Sequence, residues 1–572
     1  MHVGLVGSGH AATAVRQTIA GAVDSVTDID PRALGEVDFA VAVGPAGATG
    51  FETANETARE TGTPWLAVEL GGVGGHAIDG VDAAVSGFAP GQGCFDCLRA
   101  RVSANGGDAE RAQTSDADAR LAGTLAGREL VRLANGEESA ALGGVIELPY
   151  ATRRILPVPG CDCAGPRDHD LDRDHAPRDL DGALAAAEQT IDSRVGIVHE
   201  VGEAESFPAP YYLATLADTT GFSDMQANRQ AAGVATDWNR AYMKALGEGL
   251  ERYAAGVYRE TEFERGSPVE TPDGVAPSAF VGSPSFTDAD PERSVRWYPG
   301  EHVETGARVK LPAEFVQFPP PETRYRPSIT TGLGLGNGGV EALLSGLYEV
   351  VERDAAMLAW YSTFEPLGLA VDDDRYRDIE KRARSESLSA TALLVTQDVD
   401  VPVVVACLHR ESGEWPRFAA GMSAALDADA AAADALEEAL QNWLELRGMG
   451  KQETTAQPGA IGSYAEFPPA AREFVAPETT IPADSVGPDE SLAGKAELDA
   501  LVSRAVDAGL DPYAARLTPR DLARQGFEAV RVLVPTAQPL FTDEAYFGER
   551  AERVPSELGF EPRLDRDHHP YP

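Results

Sequence analysis

Lysine is scarce in this sequence: five of its 48 basic residues are lysines, against 91 acidic residues, and the formal net charge is −43. Binding to nucleic acid requires a basic stripe that meets the phosphates, and the sequence has none, so we expect no nucleic-acid partner. An acid-rich, lysine-poor chain is typical of proteins that stay soluble in concentrated salt. The composition therefore indicates a halophilic protein from a high-salt cytosol.

Long apolar runs are missing as well. No stretch of about 18 apolar residues occurs, and the opening residues, MHVGLVGSGH, lack the basic start of a secretion signal. We therefore expect no membrane contact and a cytoplasmic location. With 572 residues, 43% of them apolar, the chain is long enough for three or four compact units.

The richest pattern lies between residues 331 and 361, where a glycine-rich turn leads into a helical segment. The ten residues from Leu347 read LYEVVERDAA, and those from Leu246 read LGEGLERYAA, so both fit L-x-E-x-x-E-R-x-A-A. Carboxylates gathered from two such helices repel one another unless cations neutralise them. Oxygen ligands favour Mg²⁺, which shares its remaining positions with substrate phosphates, while glycine-turn amides and arginines suit those phosphates.

A plainer interpretation is a pair of amphipathic helices whose Glu–Arg pairs lie on solvated faces. For one copy of the pattern that interpretation would be preferred. Two copies, one of them preceded by GLGLGN, favour the magnesium site.

These residues resemble the YcaO family of ATP-dependent enzymes, which activate peptide backbone amides. Members bind Mg-nucleotide through a helix ending in E-x-x-E-R and a second motif, N-x₃-E-x₇-E-x₃-R, and both motifs are present here. The resemblance runs from about residue 191 to the end and implies an α+β ATP-binding domain with ATP and Mg²⁺ as cofactors. It implies catalytic roles for Glu248, Glu349 and Arg353, nucleotide binding by Lys244, Glu251, Arg252, Asn337, Glu341 and Glu352, and Mg²⁺ ligands at Glu248, Glu251, Glu341 and Glu349.

One departure from the family concerns a phosphate-binding lysine. Family members often carry Gly-Lys-Gly ahead of the first glutamate helix, where this chain has Ala232-Gly233-Val234. Lys244, one turn before Glu248, is the candidate replacement, and a surface ion pair between these two residues is the alternative.

The N-terminal residues 2–12, HVGLVGSGHAA, predict a strand, a glycine turn and a helix in the manner of a Rossmann-type opening. Further strands at 24–29, 39–43 and 65–70 predict a parallel α/β domain. It is either a nucleotide site with Asp28 or Asp30 on a ribose, or a Rossmann-like scaffold without a ligand. The lack of a further nucleotide motif before residue 150 favours the scaffold.

Four of the five cysteines form two close pairs, Cys94-x₂-Cys97 and Cys161-x-Cys163. Four thiolates on two turns suit one closed, tetrahedral, structural Zn²⁺ site. Disulfides and a redox pair are the alternatives, and a cytosolic setting disfavours disulfides. The fifth, Cys407, lies in an apolar run and is expected to be a core thiol.

A Rossmann-like sheet followed by cysteine-bound zinc is similar to the ThiF-like (ubiquitin-activating-type) domains that accompany many azoline-forming YcaO proteins. The resemblance implies a domain that docks a partner or peptide rather than one that adenylates. We therefore expect a ThiF-like domain over 1–165, an acidic linker over 166–190 and a YcaO domain over 191–572. The linker is expected to be exposed, and its histidines, His169 and His175, to be solvated rather than, with His199, to bind metal.

Beyond the second glutamate helix we expect strands at 391–396, 401–408 and 417–422, followed by a long helix at 427–447. That helix resembles the family's third helical element, and we interpret it mainly as packing. Residues 456–490 are rich in proline, glycine and acid, which predicts a surface loop or hinge. A helix and a strand within 497–534 close the domain.

The sequence ends in His568-His569-Pro570-Tyr571-Pro572. Chain ends are usually frayed, although two prolines stiffen this one. Azoline-forming family members tend to end in a proline-rich tail that reaches the nucleotide pocket, and Pro-Tyr-Pro resembles it. The resemblance implies that the tail docks beside the glutamate helices, where Pro572, through its carboxylate, or His569 orders the reacting amide.

In the reaction that the resemblance implies, a nucleophile adds to a peptide carbonyl and the resulting oxyanion takes the γ-phosphate of ATP. Loss of phosphate leaves an azoline, or a thioamide where sulfide is the nucleophile. The partners are a peptide or protein substrate and, for thioamides, a sulfur-donor protein; a homodimer is left open. Two other classes remain: a nucleotide-binding accessory protein for ribosomal-protein methylthiolation, and an NAD-dependent oxidoreductase built on GSGHAA.

Overall fold

The computed structural model describes residues 1–106, 114–149, 151–163, 165–454, 459–488 and 491–571. The strands of the N-terminal region, residues 1–163, are β1 (His2–Val6), β2 (Ser25–Asp28), β3 (Phe39–Pro45), β4 (Trp65–Leu70), β5 (Gly72–Val73), β6 (His76–Ala77), β7 (Ala83–Phe88), β8 (Gly144–Leu148) and β9 (Ala151–Arg154). Its helices are α1 (His10–Ile19), α2 (Thr49–Thr61), α3 (Phe95–Ala104) and α4 (Asp116–Ala134).

Seven of these strands form one sheet in the order β2-β1-β3-β4-β7-β8-β9. The first four strands pair in parallel, and the later ones are antiparallel. β3 and β4 are almost entirely buried, which explains their continuous apolar sequences FAVAV and WLAV. The predicted α/β class is confirmed, and the strands expected at 24–29, 39–43 and 65–70 are β2, β3 and β4.

The segment between the two regions, residues 165–179, is largely exposed, as its composition predicts, but it is attached to the C-terminal region rather than free. It contains no helix or strand, and we call it the strap. Arg173 donates to the carboxylate of Glu301 at 3.1 Å, and Arg178 donates to the Gln525 carbonyl at 3.1 Å. These charged contacts replace the apolar burial that the strap lacks, so it docks although few of its side chains are hydrophobic.

The remaining strands are β10 (Val198–Glu205), β11 (Tyr211–Leu216), β12 (Gln230–Val234), β13 (Glu264–Gly266), β14 (Val295–His302), β15 (Arg308–Pro312), β16 (Leu333–Gly336), β17 (Leu367–Ala370), β18 (Ser389–Leu394), β19 (Val403–His409), β20 (Phe418–Ala424), β21 (Thr480–Pro482), β22 (Tyr513–Arg516) and β23 (Glu528–Leu533). The helices are α5 (Leu180–Glu188), α6 (Trp238–Gly256), α7 (Ala313–Val316), α8 (Gly339–Trp360), α9 (Asp374–Ser385), α10 (Ala428–Thr454), α11 (Ile461–Tyr464), α12 (Pro469–Phe474), α13 (Lys495–Asp507), α14 (Arg520–Ala523) and α15 (Arg550–Leu558).

These strands form three sheets: β10-β11-β12, then β13-β14-β22-β23-β16 with β15 beside β14, and β20-β19-β18-β17-β21. Among the described residues, no helix is both long enough and apolar enough to cross a membrane. The strands expected at 391–396, 401–408 and 417–422 are β18, β19 and β20, and the expected long helix is α10. The surface loop expected at 456–490 is wrong in part, because it contains α11 and α12, and β21 extends a sheet by pairing with β17.

One strand–helix unit occurs three times, as β12–α6, β16–α8 and β20–α10. In each unit a strand glycine lies so close to the following helix that a Cβ would meet helix backbone atoms at 2.2–2.3 Å. The glycines are Gly233, Gly334 and Gly421. Any larger residue there would push the helix away from its strand, so these glycines fix how each helix sits on its sheet.

Candidate active site

Helices α6, α8 and α10 border an open cleft of about 890 Å³. Its opposite wall is one face of the sheet β10-β11-β12, where Tyr211 and Leu213 point into the cleft. Leu213 is 44% exposed, which is unusual for a leucine in the middle of a strand. The cleft therefore combines an apolar, uncovered sheet face with three charged helices.

Each of the three helices directs one glutamate back onto its own strand. Glu248 accepts a hydrogen bond from the Ala232 N–H at 2.9 Å, and Glu349 accepts one from the Gly332 N–H at 2.9 Å. On the third helix, Glu438 accepts from the Met422 N–H at 2.6 Å. The sequence analysis singled out the first two of these glutamates. The structure shows that they belong to a set of three equivalent positions.

The second glutamate of each repeated motif is crowded by the others. Burial, followed by the carboxylates of Glu349 and Glu248, raises the pKa of Glu251 to about 7. Burial, followed by Glu438 and Glu349, raises the pKa of Glu352 well above its ordinary value. The structure thus brings the carboxylates of α6, α8 and α10 into one cluster that lacks enough positive charge of its own.

Arginines from the same motifs lie among these acids. Arg252 contacts Glu251 at 3.2 Å and Glu248 at 3.5 Å, and Arg353 contacts Glu352 at 3.5 Å and Glu349 at 3.6 Å. These pairs hold the guanidinium groups at the cleft wall, since both arginines line it. Each motif therefore places two acids in contact with one arginine that lines the cleft.

The sequence analysis missed a third arginine, Arg531 of β23. Its side chain is 2% exposed and donates to the carbonyls of Thr330 at 2.7 Å and Ile329 at 2.9 Å, both of which line the cleft. Burial and the nearby Arg326 lower its pKa to about 9. An arginine in the apolar strand sequence EAVRVL is the signal that could have identified it.

The interpretation of α10 as mainly packing is wrong. Glu438, Gln441 and Glu445 line the cleft, and burial together with Glu248 and Glu438 raises the pKa of Glu445 to about 7. A signal was present, because residues 436–442 read LEEALQN and match the repeated L-x-E-x-x-E-R with Gln441 and Asn442 in place of Glu and Arg. Two substitutions hid the third copy.

A smaller pocket of about 360 Å³ lies beside the cleft. It holds Lys244, which forms an ion pair with Glu437 rather than with Glu248 as one alternative predicted. It also holds Asn337 and Glu341, whose side chains bond to each other at 3.1 Å, whereas neither lines the larger cleft. Glu251 is the motif residue that reaches this pocket from the carboxylate cluster. Its apolar lining residues are Leu180, Met243, Leu335 and Phe527.

The expectation that glycine-turn amides hold phosphates is not met. The N–H of Gly332 is bonded to Glu349, and that of Asn337 to Glu341 at 3.0 Å. The start of α8 is covered by the strap, because the carbonyl of Asp172 lies within 1.6 Å of the place where Gly339 would carry a Cβ. The strap thus occupies the position that the turn was expected to offer a ligand.

The end of the chain packs inside the protein. Tyr571 is 1% exposed and its ring lies against Trp360, while His569 bonds to the carbonyl of Phe541 at 2.6 Å. Burial, His568 and Arg353 lower the pKa of His569 to about 4, so this imidazole is neutral and close to the second glutamate helix. Pro572, the predicted catalytic end, lies outside the described residues.

Cys94, Cys97, Cys161 and Cys163 meet in the N-terminal region, with all four sulfur atoms within 4.8 Å of one another. Neighbouring sulfurs are 3.5–3.8 Å apart, and a tetrahedron of Zn–S bonds of about 2.3 Å requires about 3.8 Å. Arg520 donates to Cys163 at 3.3 Å, which would balance thiolate charge. The cluster therefore fits a structural zinc ion.

Other proposed ligands do not gather in the described part of the chain. His169 packs edge-on against Tyr298, and His199 bonds to Asn105 at 3.0 Å. Asp28 pairs with Arg16, and the Asp30 side chain caps the turn that follows it. His169, His199, Asp28 and Asp30 are thus engaged in protein contacts, and His175 is exposed, as expected.

The donor set suits Mg²⁺ because it consists of carboxylate oxygens whose pKa values are raised first by burial and then by one another. Bound Mg²⁺ would neutralise that repulsion. The arginines at the same wall could then meet phosphate oxygens.

The comparisons with known proteins agree with this geometry. The family profile described as "YcaO cyclodehydratase, ATP-ad Mg2+-binding" matches residues 232–538. An uncharacterized protein of Methanothermobacter thermautotrophicus is 28% identical over 336 residues, which cover 56% of this chain and 84% of that protein.

Three solved structures share the fold. A heterocyclase in complex with substrate and cofactor matches 100% of this chain and 85% of its own, with a TM-score of 0.76 and 19% identity. The heterocyclase TruD matches 98% and 82%, with a TM-score of 0.67 and 18% identity. The YcaO protein of Methanopyrus kandleri bound with AMPPCP and Mg²⁺ matches 66% and 96%, with a TM-score of 0.52 and 26% identity. This chain, with its repeated glutamate helices around an open cleft, belongs to the YcaO family.

Proposed function

We propose that the protein uses ATP and Mg²⁺ to phosphorylate the oxygen of a backbone amide in a ribosomally made peptide or protein. The product is an azoline when a side chain of the peptide is the nucleophile, and a thioamide when a sulfur donor supplies sulfide. The observation that carries the proposal is the set of three strand-anchored glutamates, Glu248, Glu349 and Glu438, around one open cleft.

Glu248, Glu251 and Glu349 would hold Mg²⁺ in the cleft, and Arg252 and Arg353 would meet phosphate oxygens. Phosphoryl transfer depends on positioning and charge neutralisation more than on covalent help from the protein. The cluster provides both, because its carboxylates are already gathered and its arginines are fixed by ion pairs. Glu352 would keep Arg353 in place.

The smaller pocket would take the other end of the nucleotide. Its apolar residues offer a surface for a base, and Asn337, Glu341 and Lys244 offer hydrogen bonds to a sugar. Glu341 is a candidate Mg²⁺ ligand only if it turns away from Asn337, with which it now bonds. Glu251 lines this pocket and is coupled electrostatically to Glu248, which lines the cleft, and this supports one ligand that extends through both spaces.

The peptide would lie along the uncovered sheet face that carries Tyr211 and Leu213. A side-chain S–H or O–H adds to the carbonyl carbon and gives up its proton, and the carbonyl oxygen receives the γ-phosphoryl group. The oxygen then leaves as phosphate while the amide nitrogen loses its proton, which forms the C=N bond. His569, neutral and near Arg353, and Pro572 are proposed to order this amide.

For the N-terminal region we propose a ThiF-like, Rossmann-like scaffold that holds structural zinc and docks the peptide or a partner. Its parallel strands and its cysteine cluster support this role. Asp28 and Asp30 are engaged with other groups, which favours a scaffold without a nucleotide.

The experiment is ATP hydrolysis measured with a set of peptides that differ in one Cys, Ser or Thr residue. We expect phosphate release that depends on Mg²⁺ and on the peptide, together with loss of one water from the peptide by mass spectrometry. Exchange of one oxygen for sulfur, seen only with sulfide added, would assign thioamide formation. Tight ATP binding without turnover on any peptide would instead favour the accessory role.

A further inference from the structure

A buried polar network joins the N-terminal region to the first glutamate helix. Arg101 of α3 and Asp521 of α14 are both 0% exposed and form an ion pair. The hydroxyl of Tyr253 on α6 donates to Asp521 at 2.6 Å and accepts from Arg101 at 3.2 Å. Tyr253 is 1% exposed, so no water competes for these bonds.

Further hydrogen bonds hold Arg101 and Asp521 in place. Arg101 donates to the carbonyls of Pro157 at 3.3 Å and Leu156 at 3.4 Å, in the loop that leads to Cys161. Asp521 accepts from the Leu522 N–H at 3.0 Å. A buried charge that loses its partner is strongly unfavourable, so the three side chains have little freedom to move apart.

Tyr253 differs from the rest of the buried face of α6. The other buried residues of this helix are alanine, glycine and leucine. Contacts between small apolar side chains allow a helix to slide or rotate slightly, because they have no preferred direction. The tyrosine hydroxyl, in contrast, fixes both the rotation and the axial position of the helix through two directed hydrogen bonds.

The opposite side of the helix carries the site. At about 100° per residue, Glu251 lies roughly 160° around α6 from Tyr253, and Glu248 lies roughly 140° from it. Tyr253 thus holds one side of α6, while Glu248 and Arg252 line the cleft and Glu251 lines the smaller pocket. Arg101, in turn, lies outside residues 232–538, the part of the chain that matches the family profile.

We infer that Arg101, Asp521 and Tyr253 are positioning residues, through which the N-terminal region sets the place of the Mg-nucleotide ligands on α6. The inference rests on the proposed function, because the ligands it positions are those proposed for Mg-ATP. It assigns the N-terminal region a part in nucleotide binding that is separate from zinc binding and from peptide docking.

The test compares two conservative variants, Tyr253→Phe and Tyr298→Phe. Tyr298 is the matched control, since it is also 1% exposed and its substitution also removes a buried hydroxyl group, which donates to the Arg516 carbonyl at 2.8 Å. We expect Tyr253→Phe to raise the Kd for Mg-ATP at least about fivefold, within the usual range of coupling between distant sites. Tyr298→Phe should leave that Kd unchanged.

A second readout needs no nucleotide. Hydrogen exchange of the backbone amides of residues 246–256 in the apo-protein should accelerate in Tyr253→Phe and stay at the wild-type rate in Tyr298→Phe. If wild-type protein fails to bind Mg-ATP, the proposed function is wrong, and hydrogen exchange alone decides the positioning role. Equal exchange in the two variants would overturn the inference.

The N-terminal side of the network is tested with Arg101→Met and Arg101→Lys, with zinc content measured to show that the cysteine cluster is intact. We expect Arg101→Met to weaken Mg-ATP binding by about tenfold and Arg101→Lys, which keeps the charge, to recover most of the loss. If Arg101→Met only lowers the melting temperature and binds Mg-ATP normally while folded, Arg101 is structural and the inference fails.

Discussion

The cysteine cluster and the glutamate cleft both bring together side chains that can carry negative charge. They differ in how much space they leave for a ligand. The four sulfurs lie within 4.8 Å of one another, two of the cysteines are buried, and Arg520 lies against the cluster. The carboxylates line an open cleft of about 890 Å³ together with two arginines. A closed ligand set has no room for substrate and serves stability, whereas an open one can bind and release a ligand.

This difference predicts that mutations in the two regions have opposite effects. Changes in the cleft should alter nucleotide chemistry and leave folding intact, and changes in the cysteine cluster should do the reverse. Each of the following measurements could contradict that comparison or refine it.

The largest effect is expected from Glu349→Gln and Arg353→Ala. Each removes a charge that would meet Mg²⁺ or phosphate, and loss of such an electrostatic contribution commonly costs about 10² to 10³ in rate. ATP hydrolysis should fall by that factor in both variants. In Glu349→Gln the melting temperature of the apo-protein should also stay level or rise, because one of several crowded carboxylates is neutralised. Arg553→Ala is the matched control, since it opens an exposed i,i+4 pair with Glu557. Wild-type turnover in either cleft variant would refute the assignment.

Loss of zinc should have the next largest effect, and on stability. Cys161→Ser should release the metal and lower the free energy of unfolding by about 2.7 kcal/mol, the linkage expected for a metal present at 100 times its Kd. The Kd for Mg-ATP should change less than about twofold, because Arg101 retains its ion pair with Asp521 and its hydrogen bond to Tyr253. Cys407→Ser, a buried thiol outside the cluster, should retain one zinc per chain. Metal analysis and calorimetry check both variants, and a zinc-free wild type would contradict the account.

A smaller effect is expected from Glu438→Gln on the third helix. The carboxylate of Glu438 raises the pKa values of Arg353 and Glu352, so its neutralisation should change the charge balance of the site and reduce ATP turnover by about tenfold, or ~1.4 kcal/mol. The strand bond from the Met422 N–H can be kept by glutamine, which leaves folding unchanged. Unchanged turnover would support the interpretation of α10 as a packing helix.

The smallest effect is a pH dependence that separates the two regions. Glu69, buried beside Gly74 and Gly75, has a pKa raised from 4.5 to about 7, mainly by burial, and Glu251 of α6 has a similar pKa for the same main reason. A raised carboxyl pKa stabilises the fold below pH 4.5, and this contribution is lost as the pH rises through about 7. Ionisation of each group should therefore lower the free energy of unfolding by about 1 kcal/mol between pH 6 and pH 7.

Mg-ATP distinguishes the two carboxyls. Bound Mg-ATP should abolish the contribution of Glu251 to the pH dependence of stability, because this carboxylate would then be ionised and bound to Mg²⁺. The contribution of Glu69 should remain. Chemical unfolding of Glu69→Gln and Glu251→Gln at both pH values, with and without Mg-ATP, measures this. A Glu251 contribution that persists with saturating Mg-ATP would place that residue away from the ligand.

The sequence predicted those parts of the site that depend on short spacings. Two cysteine pairs and two copies of one motif are local patterns, and the structure places each of them in a cluster. The strands of the N-terminal sheet could be read from continuous apolar runs for the same reason.

The parts that failed depend on contacts between distant segments. The Gln441 and Asn442 substitutions concealed the third repeat, and an ion pair with Glu437 redirected Lys244. The docking of the strap was missed because it relies on arginine contacts, such as those of Arg173 and Arg178, that no local pattern reveals. Long-range polar pairing is therefore what sequence reasoning could not supply here.

The central claim is that the cleft between the three glutamate helices binds Mg-ATP. Calorimetric titration of the wild-type protein with ATP, with and without Mg²⁺, tests it most directly, with Arg353→Ala alongside. The account predicts one ATP bound per chain, only when Mg²⁺ is present, and binding at least about a hundredfold weaker in the variant. No binding by the wild type, or equal binding by Arg353→Ala, would contradict it.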